Sequence, residues 1–265
     1  MARAIPMPGR REPRDLRGPE DAAAGGGQPA ARIAANILAA DLACLGHEVA
    51  VAVRSGADRV HVDVMDLGAS GVTVAPLVCR ALKRVTRAPL EVHLLVKPTE
   101  RLVAAFAEAG ADLVAFHPET SEDVRRTGAA VREHGCEVGL ALAAGAPLDV
   151  LDGLLGDVDL VLVTGAAPGL AGERLAPATL RWIRALRQRL SAEGPGVAIS
   201  AEGGVDARNG AELIAAGVDV LVVESARCGP GDRAANITAL RHALGGPGAP
   251  RGGAWARGPR RPLAS

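Results

Sequence analysis

A histidine and an aspartate stand two residues apart in the run His61-Val62-Asp63-Val64-Met65-Asp66, at the end of an apolar segment. Side chains alternate along a strand, so His61 and Asp63 share one face while Val62 and Val64 share the other. A second apolar segment carries His93 inward near its own end, and Glu202 follows a third. Unpaired buried polar groups are costly, so groups of this kind converging on one place need a common partner. Two imidazoles and two carboxylates make a ligand set for a single divalent cation, and the set suits Zn²⁺, Mn²⁺, Fe²⁺ and Co²⁺ alike. The competing reading is a buried hydrogen-bond network without metal.

The two carboxylates can also do chemistry. Asp63 and Glu202, on either side of a bound metal, suit removal of a proton from one face of a carbon and its return to the other. The metal would hold a ketone and its neighbouring hydroxyl and stabilise the enediolate between the two steps.

These residues need elements that bring them together. Apolar runs at 33–38, 59–64, 90–95, 113–116, 137–142, 160–163, 197–200 and 220–223 read as buried parallel strands. Helical stretches at 42–54, 76–85, 99–109, 122–134, 177–190, 207–216 and 232–243 lie between them. A punctuation recurs in Gly56-Ala57-Asp58, Gly110-Ala111-Asp112 and Gly217-Val218-Asp219, where glycine ends a helix in the left-handed region and aspartate precedes the next strand. The pattern predicts one (β/α)₈ (TIM) barrel domain over residues 32–244. An open doubly wound sheet is disfavoured, because the first strand leads into Asn36-Ile37-Leu38-Ala39-Ala40-Asp41 rather than a glycine-rich dinucleotide turn. The stretches 1–31 and 245–265 mix Arg, Pro, Gly and Ala without periodicity and read as disordered tails.

Chemistry in such barrels sits at the C-terminal strand ends. The ends place Asn36, His61 and Asp63, His93, His117, Thr164 and Glu202 there, with Glu224-Ser225 after the last strand. The late loops add Gly169, Gly172, Gly203 and Gly204, whose backbone N–H groups offer a phosphate cradle. His117 reads as a structural rim histidine, Trp182 as core packing, and Arg125-Arg126, Arg184 and Arg187 as solvated helix faces.

Bulk composition narrows the class. The chain has 265 residues, 48% hydrophobic and 2% aromatic, with 30 Lys+Arg against 30 Asp+Glu. Zero net charge argues against a nucleic-acid binder, and no apolar run approaches a membrane span. Cys44, Cys79, Cys136 and Cys228 form no CxxC pair and read as reduced, mostly buried thiols of a cytoplasmic protein. The outer helix faces fix no oligomeric state and leave a homo-oligomer open.

The chain resembles the ribulose-phosphate 3-epimerase family from about Ile33 to Gly229. The resemblance is carried by Ile37-Leu38-Ala39-Ala40-Asp41, by Gly56-Ala57-Asp58 leading into the run at 61–66, and by Glu91-Val92-His93-Leu94-Leu95-Val96. It continues in His117-Pro118-Glu119, Pro168-Gly169-Leu170-Ala171-Gly172 and Gly203-Gly204-Val205. It implies interconversion of D-ribulose 5-phosphate and D-xylulose 5-phosphate, with a divalent metal on His61, Asp63, His93 and Glu202. It further implies an Asp63/Glu202 acid–base pair, substrate contacts from Asn36 and His93, and phosphate contacts from Gly169, Leu170, Ala171, Gly172, Gly203, Gly204 and Ser225.

Several positions depart from the family pattern. Glu202 stands where the family has Asp, and Asn36 where it has Ser. Leu95 and Thr164 replace methionines, and the cover loop Leu67-Gly68-Ala69-Ser70-Gly71 is one residue short. Glu224 stands where the family has a glycine against the phosphate; a carboxylate facing that dianion would repel it. Two alternatives to the epimerase therefore stay open: a diverged paralogue acting on another sugar or with weak activity, and a non-catalytic ligand- or protein-binding barrel.

Overall fold

Short runs of Val, Ile and Leu bounded by glycine and aspartate pair as parallel strands buried on both faces. The computed structural model describes residues 31–38, 40–68, 71–165, 177–223 and 230–244. Its strands are β1 (Arg32–Asn36), β2 (Arg59–Met65), β3 (Leu90–Leu95), β4 (Leu113–Phe116), β5 (Glu137–Ala143), β6 (Leu160–Thr164), β7 (Ala198–Glu202) and β8 (Val220–Val223). They close in chain order into a parallel barrel, with β8 pairing back onto β1. The connections hold α1 (Leu45–Arg54), α2 (Pro76–Val85), α3 (Glu100–Glu108), α4 (Val124–Glu133), α5 (Pro177–Glu193), α6 (Gly210–Ala216) and α7 (Pro230–Ala243). A short 3₁₀ turn, Leu148–Leu151, stands between β5 and β6. This is the (β/α)₈ barrel that the strand pattern predicts. The two expected tails, apart from Ala31, lie outside the described residues.

Two strands end two residues away from expectation, and the other strand bounds agree to within one residue. β1 stops at Asn36 because its side-chain Oδ1 accepts the Leu38 N–H at 2.8 Å and turns the chain off the sheet. β7 runs on through Glu202, which stays in register opposite Thr164 of β6. Glu202 is therefore a strand residue rather than a loop residue, and its side-chain direction is set by the barrel.

Alternation sorts the core into two layers. Val60, Val62 and Val64 of β2 join the apolar shell between sheet and helices. The helices meet that shell with residues on one face, as in α1, which buries Leu45, Glu48, Val49 and Ala52. The barrel interior is filled by Ala34, Leu113, Ala115, Ala141, Leu160, Leu162, Ala198, Val220 and Val222. These come from β1 and from β4 through β8. Along β2 and β3 the interior is instead polar, with Arg59, His61, Asp63, Glu91 and His93 all buried.

At the opposite end of the barrel from this chemistry, one clasp recurs. Asp58, Asp112, Asp159 and Asp219 each precede an even-numbered strand. Each donates its N–H to the carbonyl of the partner residue on the preceding strand, Ile33, Leu90, Val138 or Ile199, at 2.8–2.9 Å. Each also accepts that same residue's N–H on its carboxylate, at 2.7, 2.8, 2.9 and 2.8 Å. A basic side chain then closes each carboxylate: Arg241, Lys83, Arg132 and Arg187 respectively. Arg187, expected on a solvated face, is thus a staple, and it also holds the Gly217 carbonyl. Gly217 has φ 110°, and a Cβ there would fall 2.7 Å from Arg187 Cγ. Glycine is therefore required both for the turn and for the passage of the arginine.

Trp182 is half-buried against the core and donates its indole N–H to the Ala146 carbonyl at 2.8 Å. Cys79 and Cys136 are buried thiols as expected, whereas Cys44 is exposed. Cys228 lies outside the described residues. Among the described residues, no helix is long and apolar enough to cross a membrane.

Candidate metal centre

Register between neighbouring strands builds the site. His61 lies opposite Asn36 on β1 and Glu91 on β3, and Asp63 lies opposite His93. β7 brings Glu202 in from the other side. One ligand atom from each of His61, Asp63, His93 and Glu202 falls within 4.8 Å of all the others, and all four residues are buried. His61 and His93 are fully covered, while Asp63 and Glu202 keep 7% and 8% of their surface at the mouth.

The donors point at a common centre. Asp63 Oδ1 lies 3.1 Å from His61 Nε2 and 2.9 Å from His93 Nδ1. Glu202 Oε2 lies 3.3 Å from His61 Nε2, and Oε1 lies 3.7 Å from His93 Nδ1. Donors about 2.0–2.2 Å from a tetrahedral ion stand about 3.3–3.6 Å apart, so these spacings suit one small cation. Glu202 Oε2 is buried and, despite the nearby His61 nitrogen, has no hydrogen bond of acceptable geometry. An orphaned carboxylate oxygen facing two imidazoles and a second carboxylate is what a metal ligand looks like.

The electrostatics favour positive charge at this spot. Burial alone would push the His61 imidazole down, but the adjacent Asp63 carboxylate, with Glu202 and Glu91, holds its pKa well above the usual value. Burial would push Asp63 up, yet His61 and His93 hold it well below the carboxylate range.

Outer contacts orient each ligand. Asn36 Nδ2 donates to Asp63 Oδ2 at 2.7 Å, which leaves Oδ1 for the centre. Thr73 Oγ1 donates to the Asp63 carbonyl at 2.9 Å and accepts the Met65 N–H at 3.0 Å, fixing the end of β2. Glu91 takes His61 Nδ1 at 3.1 Å on one oxygen and Arg59 Nη1 at 3.2 Å on the other. Burial opposes the Glu91 charge, but His61 and Arg59 keep its pKa below the usual value.

His117 corrects the expectation of a rim residue. It is buried, its Nε2 lies 3.0 Å from His93 Nε2, and its Nδ1 lies 3.3 Å from Glu119. Burial, with His93 alongside, lowers its pKa. Of the residues expected at the site, Asn36, His61, Asp63, His93 and Glu202 come together. Gly203 and Gly204 follow Glu202 directly, with φ of 96° and 65°. Gly169, Leu170, Ala171, Gly172, Glu224 and Ser225 lie outside the described residues. Arg59 and Glu91 are the site residues that the sequence reading missed, whereas His117 was placed at the strand ends and read as structural. The signal for Arg59 and Glu91 was the same alternation that marks His61 and His93, followed one step further down each strand.

Comparison with known proteins identifies the family of the chain. The model of the ribulose-phosphate 3 epimerase family matches residues 32–227. The chain is 42% identical over 224 residues to ribulose-phosphate 3-epimerase 2 of Cupriavidus necator, covering 83% of this chain and 93% of that protein. It is 41% identical over 196 residues to ribulose-phosphate 3-epimerase of Escherichia coli K12, covering 73% and 87%. Solved structures of low identity share the fold alone. A tryptophan synthase α-subunit of Pyrococcus furiosus superposes with TM-score 0.61 at 12% identity, over 82% of this chain and 98% of that one. Phosphoribosyl anthranilate isomerase of Thermus thermophilus gives 0.57 at 19%, over 80% and 98%. With the family model spanning the barrel and relatives above 40% identity covering most of it, the chain belongs to the ribulose-phosphate 3-epimerase family.

Proposed function

We propose that this chain is a metal-dependent isomerase that interconverts D-ribulose 5-phosphate and D-xylulose 5-phosphate. The observation that carries the reading is the convergence of His61, Asp63, His93 and Glu202 within 4.8 Å at the barrel mouth, in a chain of this family. These four would hold one divalent ion, with Zn²⁺, Fe²⁺, Mn²⁺ and Co²⁺ all compatible with the donors. The chemistry such an ion supplies is Lewis-acid stabilisation of negative charge on the oxygens of a ketose.

The protein's own part is proton transfer. One of Asp63 and Glu202 takes the proton from C3, and the electron pair moves into the neighbouring carbonyl to give an enediolate. The other carboxylate returns a proton to the opposite face of C3, inverting it. Asn36, bonded to Asp63 Oδ2, keeps that carboxylate from swinging away. Burial of the site excludes the water that would otherwise compete for the proton.

The phosphate is assigned to backbone N–H groups of Gly169, Leu170, Ala171, Gly172, Gly203 and Gly204, with Ser225. Glu224 would oppose that anion, so Glu224→Gly should lower KM for the sugar phosphate. An unchanged KM would place Glu224 away from it.

A coupled epimerase assay with each metal in turn tests the whole reading. Turnover with at least one ion is expected, together with its loss in Asp63→Asn. Stoichiometric metal binding without turnover would point to a diverged or non-catalytic barrel.

A further inference from the structure

The polar column inside the barrel continues below the four ligands. Arg59, His61 and Asp63 lie on one face of β2, and Glu91 and His93 lie on the matching face of β3, with Glu91 directly opposite His61. Glu91 is fully buried, and its two oxygens go to His61 Nδ1 at 3.1 Å and Arg59 Nη1 at 3.2 Å. Proton abstraction by Asp63 and Glu202 makes no use of it.

We propose that Glu91 is the positioning residue for the metal, holding His61 in the single tautomer that presents Nε2 to the ion. The inference rests on the metal reading above. A neutral imidazole carries its proton on one nitrogen and offers a lone pair on the other. Which nitrogen is free is decided by the hydrogen bond that the other makes. An ionised carboxylate can only accept, so Glu91 Oε1 draws the proton to Nδ1. When an ion takes the place of the proton on the other side of the ring, the lone pair is left on Nε2, the nitrogen that faces Asp63 Oδ1 at 3.1 Å and Glu202 Oε2 at 3.3 Å.

Arg59 gives the device its direction. A guanidinium has donors only, so it pins the second Glu91 oxygen and fixes the carboxylate plane in the column. It also supplies the charge that lets a carboxylate remain ionised in a fully covered site. His93 meets the centre through its other nitrogen, Nδ1, with Nε2 turned to His117. The two ligating rings therefore need opposite tautomers. The chain provides a separate partner for each instead of leaving the choice to the ion.

Removing Glu91 alone would take the Arg59 guanidinium's carboxylate partner away in the interior and endanger the fold, so the test replaces the pair. In Arg59→Met with Glu91→Leu, apolar groups of similar volume take the place of the ion pair and Glu91's acceptor for His61 Nδ1 is gone. In Arg59→Met with Glu91→Gln, the amide oxygen has no arginine to serve and can accept from Nδ1. Zn²⁺ affinity is measured by chelator competition, with metal-free melts recorded alongside. The Met/Leu pair should bind Zn²⁺ about 10–100-fold more weakly than the parent, and the Met/Gln pair should recover most of that loss. Equal affinity of parent and Met/Leu protein, or equal weakness of the two pairs, would overturn the proposal. Long-range ¹⁵N–¹H spectra of the unaltered Zn²⁺-loaded protein give a measurement that no folding defect can obscure. They should show His61 protonated at Nδ1, and a proton at Nε2 would refute the assignment. A parent that binds no Zn²⁺ would instead remove the metal reading itself, an outcome visible before any variant is made.

Discussion

Glu202 Oε2 lies 3.3 Å from His61 Nε2, although β7 and β2, which carry them, are separated around the barrel by β8 and β1. Only closure of the sheet brings these strands face to face across an interior. In an open sheet of the same order, residues that far apart would stand more than 10 Å from each other, given strand spacings of about 4.8 Å. The site thus depends on the whole barrel, and Glu202 acts as the arm that completes a half-site built on β2 and β3.

Glu202→Gln keeps the length of that arm and removes its charge and its basicity. A drop in kcat of about 10²–10⁴-fold is expected, the usual worth of a general acid or base. Zn²⁺ stoichiometry measured on the same sample separates loss of the base from loss of the ion. A variant with parental kcat would remove Glu202 from the proton-transfer pair.

The half-site on β2 and β3 was legible because the pattern is local: His61 and Asp63 alternate with Val62 and Val64, and His93 repeats the arrangement. Arg59 and Glu91 obey the same alternation but lie deeper in the barrel. A charged pair inside a barrel is identified by its cross-strand register, which pairs His61 with Glu91 and which no single segment encodes. His117 follows the last residue of β4, where the turn at Pro118–Thr120 decides whether the ring faces in or out. Three of the basal clasps were announced by Gly-x-Asp. The fourth, at Asp159, follows Gly156-Asp157-Val158 and lacks that spacing, and its partner Arg132 is found only in the packed helix.

Metal binding should appear in stability as well as in activity. An ion bound by the folded site alone stabilises it by mass action, about 2.7 kcal/mol at 100 times the dissociation constant. For a domain of this size that corresponds to roughly 5–11 °C in Tm. Zn²⁺ should therefore raise the melting temperature of the parent, chelator should reverse the rise, and Asp63→Ala should abolish it. A Zn²⁺-induced rise that survives in Asp63→Ala would mean that the ion binds elsewhere.

The basal clasps should differ in worth according to their exposure. Asp58 and Arg241 keep only 10% and 11% of their side-chain surface, and Asp58 also holds the Ile33 N–H. Asp58→Ala would leave that N–H without its acceptor and the covered guanidinium without its counter-charge, held only by the Gly56 and Ala31 carbonyls, so a loss of about 3–5 kcal/mol is expected. Lys83 and Asp112 are more open, at 20% and 25%. Lys83→Met should cost about 1 kcal/mol or less. Denaturant unfolding of the two variants compares them directly, and equal losses would show that burial does not set the value of the clasp.

Glu100 gives the fold a pH dependence away from the metal centre. Burial opposes its charge, but the hydroxyls of Thr127 and Ser121 and the Glu122 N–H all donate to Oε1, at 2.5, 2.7 and 3.0 Å. Together with its own backbone N–H they bring its pKa down to about 2. An unfolded glutamate titrates near about 4.3. Because the folded value is the lower one, this stabilisation is fully present above the unfolded pKa and drains away as pH falls from there toward about 2. Glu100→Gln keeps an acceptor of the same shape and removes the charge. The variant should melt below the parent at pH 7, and the gap should close as both proteins are taken from pH 5 down to about pH 2. A gap of constant size across that range would show that Glu100 contributes through shape rather than charge.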